Sequence, residues 1–187
     1  MPLPSPRRVA VVAVVAILAL FRPDAIAQAQ TEPGAESEAE TAPETERPGR
    51  SGLPLPRFVS LRASIVNLRT GPGVRYPIDW VYHRRDLPVE IIDEFEAWRR
   101  IRDWQGTVGW VHQSMLQGRR TLRLVGERRV LRRGPELDAA GLALLEPGVI
   151  AQLMSCEVNW CRVEVRGFEG WLGRDEVYGL YPDEQIE

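Results

Sequence analysis

The chain has 187 residues, with 24 basic and 26 acidic side chains and a net charge of −2 at pH 7. A protein that grips nucleic acid through its phosphates needs a clear basic excess, so this balance excludes that class of partner. The two His, His83 and His112, lie far along the chain from the two Cys, Cys156 and Cys161, in a different part of the folded sequence, so no metal centre of the usual His and Cys ligands is expected.

The first 27 residues are typical of a secretory signal peptide. Arg7 and Arg8 precede an apolar run at 9–21, and residues 25–27 read AIA, a small-residue cleavage pattern. The run is shorter than the roughly 20 residues that a bilayer-spanning helix needs. We therefore expect export to the periplasm and no stable membrane insertion after cleavage of the signal. An uncleaved N-terminal anchor is the alternative.

Residues 28–57 are predicted to be a disordered acidic linker. Glutamates are spaced among Pro, Ala, Thr, Ser and Gly, and few apolar side chains are present to bury. Ordering such a segment costs conformational entropy that burial does not offset. The linker would let the folded part stand away from a membrane or a wall.

The rest of the sequence is an internal repeat. Residues 68–72 and 131–135 read LRTGP and LRRGP, residues 98–101 and 160–163 read WRRI and WCRV, and residues 109–111 and 170–172 read GWV and GWL. A repeat of this size indicates a small module used twice. We place the modules at 58–120 and 121–187, the second with a C-terminal extension.

Each module has the pattern of short strands separated by turns. Residues 89–93 are β-branched and partly alternating, and Gly, Pro and Asp clusters recur at short intervals. Residues 98–103 are predicted to pair with 107–111 across a tight turn, which puts Ile101 and Trp98 on opposite faces. No helical run of useful length is found. The predicted fold is all-β, with two tandem five-stranded barrels.

Three motifs follow one another in the first module: NLRTGPG at 67–73, Trp98 in the middle, and GWV at 109–111. In this order they resemble bacterial SH3-like (SH3b) domains, and the second copy resembles them less closely at its opening. Residues 179–182, GLYP, resemble the close of tandem modules in proteobacterial envelope proteins. The resemblance implies two SH3-like barrels in an exported envelope protein.

Cys156 and Cys161 are the only cysteines, and they flank a point where two strands of the second module should meet. Two nearby cysteines in an exported protein usually form a disulfide. The loop is short, so the chain-entropy model gives about 2 kcal/mol of stabilisation. A redox-active or nucleophilic thiol is the alternative, but a catalytic Cys needs a His at hand. Both histidines, His83 and His112, lie in the first module.

Aromatic residues of the first module form the candidate ligand site: Tyr76, Trp80, Trp98 and Trp104. Trp98 recurs in the second module as Trp160, whereas Trp80 and Trp104 have no aromatic counterpart there. Exposed aromatic side chains on loops provide contact area at low entropic cost and are common binding anchors. The alternatives are that Trp80 packs against the other module and that Trp98 takes part in outer packing.

His112 follows the GWV motif directly. His112 and Met115 stand where eukaryotic SH3 domains carry the Pro and Tyr that bind Pro-rich peptides, which disfavours recognition of such peptides. We expect His112 to be a solvated residue at a strand end, with a ligand contact as the alternative.

The predicted function is that of a non-catalytic, exported binding protein of the cell envelope. The resemblance implies as partner either the stem peptide of peptidoglycan or a short peptide on an envelope protein. A protein–protein adaptor or scaffold in the periplasm, with no wall ligand, is the alternative. No nucleophile–base pair can be assembled from the residues present, so we predict no catalytic residue, no metal and no cofactor.

Overall fold

The structure is a computed structural model, and it describes residues 47–187. The predicted signal peptide at 1–27 and most of the predicted linker, residues 28–46, lie outside the described residues. Residues 47–187 contain no helix with the length and hydrophobicity that a membrane crossing requires. They form two similar β-modules that belong to one compact unit.

Regular structure in both modules is almost entirely β-strand. The N-terminal hairpin and the first module contain β1 (Arg47–Pro48), β2 (Pro54–Leu55), β3 (Arg57–Leu61), β4 (Val66–Arg69), β5 (Ile78–Tyr82), β6 (Pro88–Phe95), β7 (Trp98–Arg102), β8 (Val108–His112) and β9 (Leu116–Gln117). The second module contains β10 (Thr121–Leu124), β11 (Arg129–Arg132), β12 (Gly141–Leu145), β13 (Ile150–Cys156), β14 (Trp160–Val165), β15 (Phe168–Gly173) and β16 (Val177–Tyr178). A 3-10 turn precedes the last strand of each module, at Gln113–Met115 and Arg174–Glu176.

The two modules have the same topology. The strand order is β5-β4-β8-β7-β6-β3-β9 in the first and β12-β11-β15-β14-β13-β10-β16 in the second. The turn Gln113–Met115 joins β8 directly to β9, although β7, β6 and β3 lie between these strands in the sheet. The sheet must therefore curl so that its far side comes back to β8.

The all-β prediction is confirmed, but two five-stranded barrels are not. Each module is a seven-stranded sheet, and the additional strands are β3 with β9 and their equivalents β10 with β16. β3 pairs with both β6 and β9. It begins at Arg57, at the boundary predicted between linker and module, and β9 has only two residues. A strand of two residues is too short to show the alternating pattern that identifies strands in sequence.

Folded structure is already present before the predicted module boundary at residue 58. β1 and β2 pair as an antiparallel hairpin. Leu55 is 3% exposed and belongs to the core of the first module. Leu55 therefore packs the end of the predicted linker, residues 28–57, against the first module. The polar composition of that linker indicates disorder.

Each module has its own hydrophobic core. Equivalent positions fill the two cores: Leu68 and Leu131, Ile101 and Val163, Val111 and Leu172. The glycine of each Gly-Trp motif is dictated by this packing, because a Cβ on Gly109 would lie 2.6 Å from Cγ of Leu68, and one on Gly170 2.6 Å from Cγ of Leu131. The motif shared by the two copies thus reflects the close approach of two strands.

Aromatic side chains join the two modules. The ring of Phe58 in the first module lies 5.3 Å from Tyr178 and 4.8 Å from Tyr181 of the second, centroid to centroid. The Tyr181 hydroxyl donates a hydrogen bond of 2.9 Å to Oε1 of Glu90. Apolar and polar contacts therefore both cross the junction.

The linker between the modules, residues 118–120, is short and anchored. Arg120 donates to both carboxylate oxygens of Glu184, at 2.5 and 2.9 Å. At the start of β10, Oγ1 of Thr121 donates to the carbonyl oxygen of Asp86 at 2.8 Å. The end of the linker is thereby tied to the C-terminal tail, and the start of the second module is tied to the first module.

Candidate functional site

The four aromatic residues predicted to bind ligand lie in two separate places. Trp98 lines a groove on the first module. Trp80 and Trp104 line a cleft between the two modules. Tyr76 supports a loop that forms one wall of the groove. The single site predicted from the sequence is therefore divided.

The Trp98 groove has a volume of about 610 Å³. It is lined by Pro72, Gly73, Val74, Arg75, Phe95, Glu96, Trp98 and His112. Trp98 on β7 and His112 on β8 are opposite each other in the sheet, and their rings meet edge to face with centroids 5.4 Å apart. An indole and an imidazole thus lie side by side in this groove.

Hydrogen bonds indicate the tautomer of the His112 ring. The backbone N–H of Ser114 donates to Nδ1 at 3.3 Å, and Oγ of Ser114 lies 2.7 Å from the same nitrogen. With Nδ1 as the acceptor, the proton of the neutral ring is assigned to Nε2. His112 therefore carries a donor on the nitrogen that these contacts leave available.

The loop that forms one wall is held from inside. The ring of Tyr76 packs against Gly71, where a Cβ would lie 2.5 Å from Cδ1. The guanidinium of Arg69 donates to the carbonyl oxygens of Val74 at 3.1 Å and of Tyr76 at 2.7 Å. Because these contacts fix the loop, the groove is preformed. Tyr76 stabilises one wall of the groove and does not itself line it.

The second module lacks this pair of rings. Trp160 occupies the place of Trp98, but the residue opposite it on the neighbouring strand is Gly173. Both Trp98 and Trp160 are half-buried, as expected for a residue that the module uses twice. The imidazole is the part of the groove that distinguishes the first copy.

The inter-module cleft has a volume of about 810 Å³. Trp80, Arg84 and Trp104 line it from the first module, and Arg123, Glu146 and Arg166 line it from the second. The side chain of Trp80 is 55% exposed. Trp104 is half-buried, with the guanidinium of Arg123 4.2 Å from its ring centroid. Of the two indoles, that of Trp80 is the one offered to solvent.

The predicted disulfide between Cys156 and Cys161 is confirmed, and it joins opposed residues of β13 and β14. The same position in the first module is held by Glu94 and Arg99, which are opposed on β6 and β7. Their side chains form an ion pair of 3.3 Å between Nε and Oε1. Covalent and ionic links therefore occupy equivalent places.

Glu94 is also the anchor of the N-terminal hairpin. Its side chain is 1% exposed and accepts hydrogen bonds from the backbone N–H of Ser51 at 2.7 Å, from Ser51 Oγ at 2.8 Å and from Arg57 at 2.7 Å. Burial raises the pKa of this carboxyl, but the bonds from Arg57 and Ser51 and the charge of Arg99 outweigh burial and hold it below its ordinary value.

Sequence reasoning missed two sets of residues. The sequence predicts a solvated His112 at a strand end, and it gives no binding role to Arg123 and Arg166 of the cleft. For His112 a signal was present, because comparison of the copies shows a histidine after one Gly-Trp motif and a glycine after the other. Within residues 47–187, no group of three or more His, Cys, Asp or Glu side chains is placed to hold a metal ion.

Comparison with known families gives a match to each module. The model of the bacterial SH3 domain family matches residues 62–118 and 125–179, which together are more than half of the chain. The matches cover most of each seven-stranded sheet, and they leave out β3, β10, the N-terminal hairpin and the C-terminal tail. No curated protein matches the chain.

Similar solved structures include two proteins from Trichomonas vaginalis and one from Bacillus cereus. NlpC2 from T. vaginalis is 12% identical over 69% of this chain and 50% of its own, with a TM-score of 0.33. NlpC1 from T. vaginalis is 12% identical over 65% and 45%, with a TM-score of 0.31. An NlpC/P60 family protein from B. cereus is 13% identical over 65% and 55%, with a TM-score of 0.30. The chain spans about half the length of these proteins.

Proposed function

Since this chain belongs to the bacterial SH3 domain family, we propose that it is a non-catalytic, exported binding protein of the cell envelope that holds a short peptide in the Trp98 groove. The peptide is the stem peptide of peptidoglycan or a short segment of an envelope protein. The observation that carries the proposal is the pairing of Trp98 with His112 in a groove beside a fixed loop. Export rests on the signal-peptide pattern of residues 1–27.

The groove offers the contacts that a short peptide requires. Its volume of about 610 Å³ is in the range of sites for small ligands. Trp98 supplies apolar area, and Nε2 of His112 supplies a donor for a peptide carbonyl. Arg75 and Glu96 place one charge of each sign among the lining residues. A peptide that carries both an amino group and a carboxylate complements this pair of charges.

Sedimentation of the mature protein with purified sacculi tests the proposal. Trp98→Ala should weaken co-sedimentation by roughly 30-fold, the loss expected when a central aromatic anchor is removed. Trp160→Ala is the matched control, because it removes the equivalent indole from the second module and should leave binding unchanged. Thermal unfolding of both variants is the check that each remains folded.

Two outcomes would contradict the proposal. Equal loss of binding in both variants would place the contact outside the Trp98 groove. No co-sedimentation of the wild-type protein at low salt would favour the adaptor, whose partner is another periplasmic protein. His112→Ala should reduce binding less than Trp98→Ala, because it removes one hydrogen bond and part of the groove.

A further inference from the structure

The inter-module cleft carries an excess of positive charge. Three arginines line it: Arg84, Arg123 and Arg166. Among the ion pairs described for residues 47–187, none joins any of these three side chains to a carboxylate. Their hydrogen bonds to protein are few and long, with Arg84 to the carbonyl of Gly148 at 3.4 Å and Arg123 to the carbonyl of Leu124 at 3.4 Å.

The carboxylates nearest the cleft are already engaged. Glu146 lines it, but both of its oxygens contact Nε of Arg128, at 2.9 and 3.0 Å. Asp103 is 3% exposed, and its oxygens accept hydrogen bonds from the hydroxyl of Tyr82 at 3.0 Å and from the backbone N–H groups of Gln105 and Thr107, each at 2.9 Å. Neither carboxylate forms a direct ion pair with Arg84, Arg123 or Arg166, so these three guanidinium groups remain able to pair with a ligand.

Two of the cationic groups are close enough to oppose each other. The guanidinium of Arg123 is held over the ring of Trp104 at 4.2 Å. Burial, and after it the positive charge of Arg84, lowers the pKa of Arg123, and the negative charge of Asp103 opposes this shift only in part. A bound anion would offset this repulsion, and planar guanidinium groups suit the two oxygens of a carboxylate.

Next to these cations lies the exposed indole of Trp80. An exposed indole is a flat apolar platform on which a ring can stack. A carboxylate-bearing sugar combines both complementary features in one unit, since it has an apolar ring face and an anionic group.

We propose that the inter-module cleft is a second binding site, one that takes an acidic saccharide. The carboxylates pair with Arg84, Arg123 and Arg166, and the sugar ring packs on Trp80. Because Trp80 and Arg84 come from the first module and Arg123 and Arg166 from the second, the site exists only when the modules are packed together. It is separate from the Trp98 groove and does not depend on the peptide function proposed for that groove.

Calorimetric titration of the mature two-module protein at low salt tests this site. The probe is oligogalacturonate, and its methyl-esterified form is the matched neutral ligand. Arg84→Gln and Trp80→Ala should each weaken binding of oligogalacturonate about tenfold. Arg100→Gln is the control, because it removes one exposed charge that does not line the cleft. Trp98→Ala should bind the probe like wild type.

A second measurement separates a binding role from a structural one. Without ligand, Arg84→Gln should raise the thermal midpoint, because it removes the charge that opposes Arg123, whereas Arg100→Gln should not. Oligogalacturonate should raise the midpoint of the wild type and fail to raise that of Arg84→Gln.

Four outcomes would overturn the proposal. They are the absence of any binding, equal affinity for the esterified probe, an equal loss in the Arg100 control, and tighter binding of polyglutamate or pyrophosphate than of the saccharide. The last outcome would assign the cleft to an acidic peptide or to a phosphate ligand.

Discussion

The two modules close the same cross-strand position by different chemistry. In the first, Glu94 and Arg99 form a buried ion pair, and in the second, Cys156 and Cys161 form a disulfide. The strands, their order and the register around these positions are equivalent. Either a buried ion pair or a disulfide can therefore link the two strands at this position.

At this position each module also holds a terminal segment of the described chain. Glu94 binds Ser51 and Arg57 of the N-terminal segment through its side chain. Cys156 binds the C-terminal tail through its backbone, with its N–H donating to the carbonyl of Ile186 at 2.8 Å. One anchor therefore depends on the charge of a carboxylate, whereas the other depends on main-chain hydrogen bonds beside a covalent link.

Of the changes at these positions, Glu94→Gln is expected to lower the free energy of unfolding the most. The substitution removes the negative charge that pairs with Arg57 and Arg99. The side chains of these two arginines are only 16% and 10% exposed, so water cannot fully replace the lost carboxylate. Removing one partner of a buried ion pair costs about 3 kcal/mol of unfolding free energy. Denaturant unfolding measures this cost, and Glu96→Gln, at an exposed neighbour, is the control. A cost below that of disulfide removal would reverse the ranking of the two links.

Removal of the disulfide should have a smaller effect. Replacing Cys156 and Cys161 together by serine should cost about 2 kcal/mol, since the closed loop is short. The wild type should lose stability on reduction, whereas the double variant should not respond to reductant. Mass measured after alkylation without reductant checks the link itself, and two labelled thiols would contradict the structure.

A change at the junction should be smaller still. Tyr181→Phe removes the hydrogen bond to Glu90, which crosses between the modules, and should cost about 1 kcal/mol. Tyr76→Phe is a control of the same kind, because the Tyr76 hydroxyl lies at the surface of the first module and makes only a 3.5 Å contact with Arg75. An unchanged stability in Tyr181→Phe would mean that the aromatic packing alone holds the junction.

The smallest expected effect on stability is that of acid. A fall in pH should weaken the ion pair of Glu94 and Arg99 and leave the disulfide of Cys156 and Cys161 unchanged. In the unfolded chain Glu94 takes up a proton at its ordinary pKa of 4.5, whereas in the folded protein it does so only at lower pH. Its contribution to stability is therefore complete above that range and is lost as the pH falls through the lowered pKa. The difference in unfolding free energy between wild type and Glu94→Gln should shrink from pH 7 to pH 3. A constant difference would contradict this expectation.

The sequence predicts the parts of the fold that follow from local pattern. The strands at 89–93 and 98–103, the opposite faces of Ile101 and Trp98, and the disulfide can all be read from spacing. Leu55 and Glu94 could not be assigned in this way, because their roles depend on contacts between segments about forty residues apart. A polar, acidic composition hid the docking of residues 47–57.

In the candidate sites, too, local pattern can be read from the sequence, whereas contacts between distant segments cannot. The equivalence of Trp98 and Trp160 could be predicted because the repeat marks it. Trp80 and Trp104 were predicted as anchors, but their common location depends on the packing of two modules. The arginines that join them, Arg84 and Arg123, are indistinguishable in sequence from the solvated arginines around them. A cleft between modules has no linear motif, so the structure is needed to find it.

The linker of residues 118–120 also has a consequence for the cleft. So short a tether keeps each module at a high effective concentration with respect to the other. One aromatic cluster and a few hydrogen bonds can then hold an arrangement that two separate proteins would form only weakly. If the chain were cut at Gly118, each half would keep its own core, but a mixture of the halves should rebuild the cleft poorly. The linker between the modules therefore contributes to the formation of any binding site that lies between them.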